Sequence, residues 1–168
     1  GDQDGAVGYL VGAEGAGLST MFTMMNHMRL GVGLQGVGIA QRAYQDSVTY
    51  ARERVQGRIP GRGEVRIIEH GDVRRMLLTM RALTVATRAV VLESAAALDV
   101  HAHGADESSR RKYGLYADLL TPVAKGWCTE VAQEAASLSV QVFGGMGFVE
   151  ETGVAQHIRD ARILPIYE

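Results

Sequence analysis

The sequence has a single cysteine, Cys128, among 168 residues. That excludes an internal disulfide and an all-cysteine metal site. Prolines number three and aromatic residues make up 6%. No apolar run approaches the roughly 20 residues that cross a bilayer. The formal net charge of -2 gives no electrostatic attraction for nucleic acid or an anionic membrane surface. The opening stretch, Gly1 to Gly5, has neither the basic nor the apolar segment of a secretion signal. The expectation is a soluble, cytoplasmic protein with no nucleic-acid or membrane partner. What is present is 46% hydrophobic residues, 21 glycines and 7 methionines, enough for a real core and for helices.

Val7, Tyr9 and Val11 alternate with glycines like a short strand. One strand cannot stand alone, so residues 1–18 read as the remnant of a preceding β-domain and its linker, or as a loop over the helices. Residues 19–168 read as a helical bundle. A first apolar stripe (Met21, Met24, Met25, Met28, Val32, Ile39, Ala43, Val48, Ala51, Val55) predicts a helix from about Ser19 to Gln56. GRIPGRG, Gly57 to Gly63, reads as a breaker-rich loop. Val73, Met76, Leu77, Met80, Leu83, Thr87, Val90, Val91 and Leu98 mark a second helix, with Asp72 at its start. His101 to Lys112 is polar and reads as an exposed connection. Leu120, Val123, Ala124, Trp127, Val131, Ala135, Leu138 and Val142 mark a third helix, with Thr121 as candidate cap and Pro122 in its first turn. GGMGF ends it, and a short helix is expected over about Val154 to Asp160. The fold class is all-α, an up-and-down bundle whose open side needs a further helix, a partner chain or a sheet as cover.

Gly31, Gly33 and Gly36 spell G-x-G-x-x-G, but helical periodicity precedes them where a dinucleotide site needs a strand. Small residues that let a neighbouring helix approach are the better reading. His101 and His103, two apart, point to different helix faces and suggest no metal site. Cys128 lies on the apolar stripe and reads as a core residue. No serine sits in a G-x-S-x-G elbow, which leaves a hydrolase triad without support. Arg54 and Arg58 flank a glycine turn, where a guanidinium can reach a phosphate. The glycines of QVFGGMGF can present backbone N–H groups to an anion, or simply terminate a helix. In RDARILPIYE, Arg159 or Asp160 is expected to anchor the last segment to the bundle.

Three segments in order carry a family resemblance: Arg52-Glu53-Arg54 with Gly57, Gln141-Val-Phe-Gly144-Gly145-Met-Gly147-Phe148, and Arg159-Asp160-Ala161 followed by Ile166-Tyr167-Glu168. Together they resemble the C-terminal domain of the acyl-CoA dehydrogenase family. Leu-Thr-Pro-Val-Ala-Lys and Pro-Ile-Tyr-Glu are similar to its methylthiopropanoyl-CoA branch. The resemblance implies an enzyme that uses FAD to oxidise an acyl-CoA thioester between its α- and β-carbons. It implies an electron acceptor such as an electron-transfer flavoprotein and a homodimer or homotetramer. Glu168 matches the catalytic base, whose backbone N–H also supports the thioester oxygen. Some relatives carry the base in the first long helix, at the position of Met28, which cannot accept a proton. Arg54, Gln141, Val142, Phe143, Gly144 and Gly145 match cofactor-binding positions across a subunit boundary, and Asn26, Arg29 and Tyr167 match positions near substrate. Gln56 stands where the family usually has Phe, and the 57–64 loop is longer than usual. The chain itself is expected to be an inactive fragment that holds no FAD. The alternatives are a non-catalytic helical dimerisation scaffold and a related acyl-CoA oxidase or nitroalkane oxidase.

Overall fold

The computed structural model describes residues 5–167. Residues 5–10 are exposed and have no regular structure, so the alternating valines form no ladder there. Helix α1 runs over Gly17–Glu53, α2 over Gly71–His103 and α3 over Glu107–Phe143. Between α1 and α2 lies a hairpin of β1 (Val55–Ile59) and β2 (Gly63–Arg66), followed by one 3₁₀ turn. Past α3 come the one-turn helix α4 (Gly145–Phe148), a 3₁₀ turn and α5 (Val154–Ile163).

The hairpin replaces the loop expected over GRIPGRG. Pro60 and Gly61 occupy the two corners of a turn closed by Arg62 N–H donating to Ile59 O at 2.9 Å, with Gly61 at φ 76°. Pro-Gly is the pair that a type II turn favours. The ladder pairs Val55 with Arg66 and Ile59 with Gly63, with an irregularity between Val55 and Arg58. It folds the chain back so that Ile67 joins Ala51, Met76, Leu77 and Val142 in one core cluster.

The polar stretch at His101 to Lys112 is almost entirely helical, which corrects the expected connection. Only 104–106 break the helices. The Asp106 carboxylate accepts from Ser109 N–H at 2.8 Å and caps α3, and that hydrogen bond holds its pKa below the usual value. Across the corner, His101 Nδ1–H donates to Arg110 O at 2.9 Å and Arg110 Nη1 to Gly104 O at 2.7 Å. Helix α3 therefore begins well before Thr121 and runs through Pro122. Proline's missing N–H deprives only the exposed Asp118 carbonyl, which water can serve. Thr121 is not a cap; its hydroxyl donates to Ala117 O at 2.7 Å. Asp72 lies in the first turn of α2, where its charge favours the helix as expected, and the cap position is His70.

Helices α1 and α3 run parallel, with α2 antiparallel to both. Gly33 faces Ala124, Gly36 faces Cys128, Ser47 meets Ser139, and Tyr50 stacks on Phe143, so both chains advance together. Against them α2 runs backwards: Met76 packs near Ala51, Arg88 Nη2 donates to Gln41 Oε1 at 2.9 Å, and Val91 joins Val37. The α1–α3 seam is lined by small residues. Adding a Cβ to Gly36 would bring it to 2.6 Å from Cys128 O. That approach favours the packing reading of the three glycines. The Ser47 and Ser139 hydroxyls lie 2.8 Å apart and both reach Ala43 O, so these two buried hydroxyls are satisfied.

Helix α5 fills the groove that α1 and α3 leave open and runs antiparallel to both. Ala161 packs on Ala132 and Ala136, flanked by Ile39 and Ile158. Apolar side chains still face outward: Leu78, Val85 and Leu92, each seven residues apart, form a stripe along α2, and Leu115 and Leu119 lie on α3. Among the described residues no helix is long and apolar enough to cross a membrane.

Candidate functional site

The residues singled out in the sequence fall into two groups, at different heights of the bundle. The first group sits where α1 and α3 end. Tyr50 stacks on Phe143 with ring centroids 4.1 Å apart and planes 12° from parallel. That contact, with Ala51 and Val142 in the shared core cluster, brings Arg54 to the same end as the 141–145 turn. Arg54 is the C-cap of α1; its N–H donates to Tyr50 O at 2.9 Å and its carbonyl accepts from Ile67 N–H at 2.8 Å. The backbone is thereby fixed while the guanidinium is exposed and makes no ion pair among the described residues.

Gly144 closes α3 at φ 61°, ψ -140°, a conformation that a side chain resists. Gln141, Gly144 and Gly145 are exposed, with open space where a Cβ would stand on either glycine. Val142 is buried and can offer a ligand only backbone, while the partly exposed Phe143 ring stacks on Tyr50. Gly147, by contrast, is packed: a Cβ there would lie 2.6 Å from Val140 O. The result is an exposed turn of bare backbone and one amide side chain, at the same end of the bundle as the Arg54 guanidinium. Such donors suit a phosphate and a nucleotide base.

The second group lies some 25 residues earlier on α1, or roughly 37 Å along the helix axis. Arg29 Nη1 donates to Asn26 Oδ1 at 3.2 Å, and its guanidinium carbon lies 5.8 Å from the Phe22 ring centroid. Arg29 lines a cavity of about 290 Å³ with Pro122, Lys125, Thr129, Glu130 and Pro165. Tyr167 is brought here by α5. His157 Nε2 contacts Asp46 Oδ2 at 3.0 Å, tying α5 to α1, and Arg42 Nε donates to the same oxygen at 3.1 Å. Leu164 is buried, and three residues further on the Tyr167 carbonyl accepts from Lys125 Nζ. Glu168 lies outside the described residues.

Arg159 and Asp160 do not anchor α5 to the bundle. Arg159 pairs with Glu150 at 3.2 Å and Asp160 accepts from Gln156 at 2.6 Å, both within the C-terminal segment. The anchoring fell to His157 and Asp46, which sequence reading passed over. It also gave Lys125 no role. The available signal was a lysine between Ala124 and Cys128, at an inward-facing position of an otherwise apolar and small-residue stripe. Among the described residues no group of three His, Cys, Asp or Glu is placed to hold a metal ion.

Residues 15–168 match the family model described as "Acyl-CoA dehydrogenase, C-terminal domain". The chain is 55% identical over 170 residues to the 3-methylmercaptopropionyl-CoA dehydrogenase of Ruegeria pomeroyi, covering 99% of this chain and 29% of that protein. It is 33% identical over 176 residues to a butyryl-CoA dehydrogenase of Syntrophomonas wolfei, covering 100% of this chain and 29% of that one. The solved structure of butyryl-CoA dehydrogenase from Megasphaera elsdenii superposes with a TM-score of 0.75 at 29% identity, over 93% of this chain and 36% of that one. The chain thus spans less than a third of the length of these two curated relatives.

Proposed function

The chain belongs to the acyl-CoA dehydrogenase family, and from that premise we propose that it is the C-terminal helical domain of an FAD-dependent acyl-CoA dehydrogenase, with Glu168 as the base. The observation that carries this reading is the return path of α5. It begins beside the glycine turn, and just past its end Pro165 lines the same cavity as Arg29 and the Tyr167 carbonyl accepts from Lys125 of α3. One short element therefore links a nucleotide-type donor set to the region matched to substrate. The dehydrogenase from Ruegeria pomeroyi supports an acyl-CoA thioester as the substrate class.

FAD, when bound, supplies the acceptor for the hydride leaving the β-carbon. The chain's own residues do the rest. Arg54 neutralises pyrophosphate charge, while Gln141 and the backbone through Gly145 hold the adenosine half. Glu168 takes the α-proton, and its N–H stabilises the negative charge developing on the thioester oxygen. Asn26, Arg29 and Tyr167 orient the acyl-CoA. The outward stripe of Leu78, Val85 and Leu92 supports a homo-oligomer, whose neighbouring subunit shares the cofactor site. Electrons pass on to an acceptor such as an electron-transfer flavoprotein.

Glu168→Gln in the enzyme that carries this domain tests the reading. Turnover of acyl-CoA is expected to fall by several orders of magnitude with FAD retained, because the proton acceptor is gone. Undiminished turnover would leave the domain as a structural module.

A further inference from the structure

We propose that the cleft where α1, α2 and the 3₁₀ turn between them meet binds a small amphipathic anion through Arg52 and Arg74. The ligand class is a carboxylate or phosphate carried on a short apolar tail. None of the residues assigned above to cofactor or substrate lines this cleft, and the proposal does not depend on those assignments. The cleft has a volume of about 310 Å³, the size of a small-ligand site. Its floor is Tyr44, Val48, Ile68 and Leu77, and its charged lining is Arg52 and Arg74. Tyr44, Val48 and Ile68 pack on the buried cluster that contains Leu77, Ala51 and Met76, so the floor is a preformed edge of the core.

Neither guanidinium pairs with a carboxylate among the described residues. The acids close in sequence are engaged elsewhere: Glu64 pairs with Arg58, Glu69 with Arg62 and Asp72 with Arg75. Glu53 lines a different cavity, with Asp46. The helix dipole accounts for Arg52, in the last turn of α1. It opposes Arg74, the fourth residue of α2, where a cation is unfavourable. Its neighbour Arg75 is offset by Asp72 at 2.8 Å, and Arg74 has no such partner. What holds Arg74 is a backbone acceptor: its Nε donates to Ile68 O at 2.9 Å. That bond fixes the guanidinium beside a floor residue and leaves both Nη groups free to donate. Two cations on one cleft repel, and an anion between them turns that cost into attraction and charge-assisted hydrogen bonds. An anion without a tail leaves the apolar floor wet, and a tail without an anion leaves the guanidiniums uncompensated. The cleft therefore selects a molecule that has both.

Octanoate and octyl phosphate test the proposal on the enzyme that carries this domain. The readout is arginine labelling by phenylglyoxal, mapped by peptide mass spectrometry. At ten times its half-protecting concentration, the better of the two is expected to slow labelling of Arg52 and Arg74 about tenfold. Arg81, exposed and without an ion pair among the described residues, should label at an unchanged rate. Which of the two protects at lower concentration assigns the head group. Acetate and octanol, each with half of the molecule, should need at least about ten times the concentration. Arg52→Gln and Arg74→Gln should each weaken protection of the remaining arginine about tenfold. Protection by neither amphiphile would overturn the proposal, and that is also the result if they bind only where the acyl-CoA does. So would equal protection by acetate or by octanol, or protection unchanged in both variants. Arg52 and Arg74 that fail to label in the ligand-free enzyme would overturn it too, because another part of the enzyme then fills the cleft.

Discussion

Gly36 of α1 faces the carbonyl oxygen of Cys128 in α3 so closely that a methyl group there would lie 2.6 Å from it. Only a hydrogen fits, and the carbonyl is held in its own helix. Gly36→Ala is expected to cost about 1–3 kcal/mol, through strain that pushes the parallel helices apart. Gly38 provides the control, because a Cβ there meets nothing within 4 Å. Gly38→Ala should stabilise by up to about 1 kcal/mol, through helix propensity alone. Thermal melts of the two variants check this; equal shifts in one direction would contradict it.

Cys128 is fully buried, and burial pushes its thiol up to about 11 from an ordinary value of 9.0. The folded state thus holds the proton more tightly than the unfolded chain. The resulting stability is fully present below pH 9 and is lost as pH rises from about 9 toward 11, at up to about 1.4 kcal/mol per pH unit. Cys128→Ala should flatten that alkaline decline. Thiol labelling at pH 8 should be slow in the folded protein and fast in denaturant.

The Tyr50–Phe143 stack joins the C-terminal ends of α1 and α3, the ends that carry Arg54 and the glycine turn. Phe143→Ala should cost about 2 kcal/mol, less than for a fully buried ring because Phe143 is half-exposed. In the proposed enzyme it should also weaken FAD binding, whereas Phe143→Tyr preserves the stack and the affinity. A melt and a flavin titration on the same samples measure both effects.

The long helices were legible because periodicity survives in Met76, Leu77 and Met80, all of them buried as expected. Which residues would be innermost was less so. Trp127 and Val123, read as core, are 38% and 46% exposed, while Ala124, Thr129 and Ser139 lie fully inside. Parallel helices in close contact admit only small side chains, and hydrophobicity alone does not report how near a neighbour comes. The polar run after His101 looked like a loop because its helix faces water; its Asp106 cap was the missed signal. Arg54 and the 141–145 turn could be found from local pattern. The link between Asp46 and His157, 111 residues apart, could not.

The last prediction concerns cofactor affinity of the chain as it stands. Arg54, Gln141 and Gly145 are all exposed at one end of the bundle, and Val142 is buried. A ligand there would gain one charge-assisted contact and a few hydrogen bonds to open backbone. Those must offset several kcal/mol of lost translational and rotational freedom, without an enclosing wall to exclude water. The Ruegeria pomeroyi relative has more than two thirds of its length outside the matched region. The purified chain is therefore expected to be colourless and to show no acyl-CoA dehydrogenation. Absorbance and equilibrium dialysis with FAD provide the check. A yellow preparation holding one flavin per chain, bleached when an acyl-CoA is added, would mean that these few donors suffice.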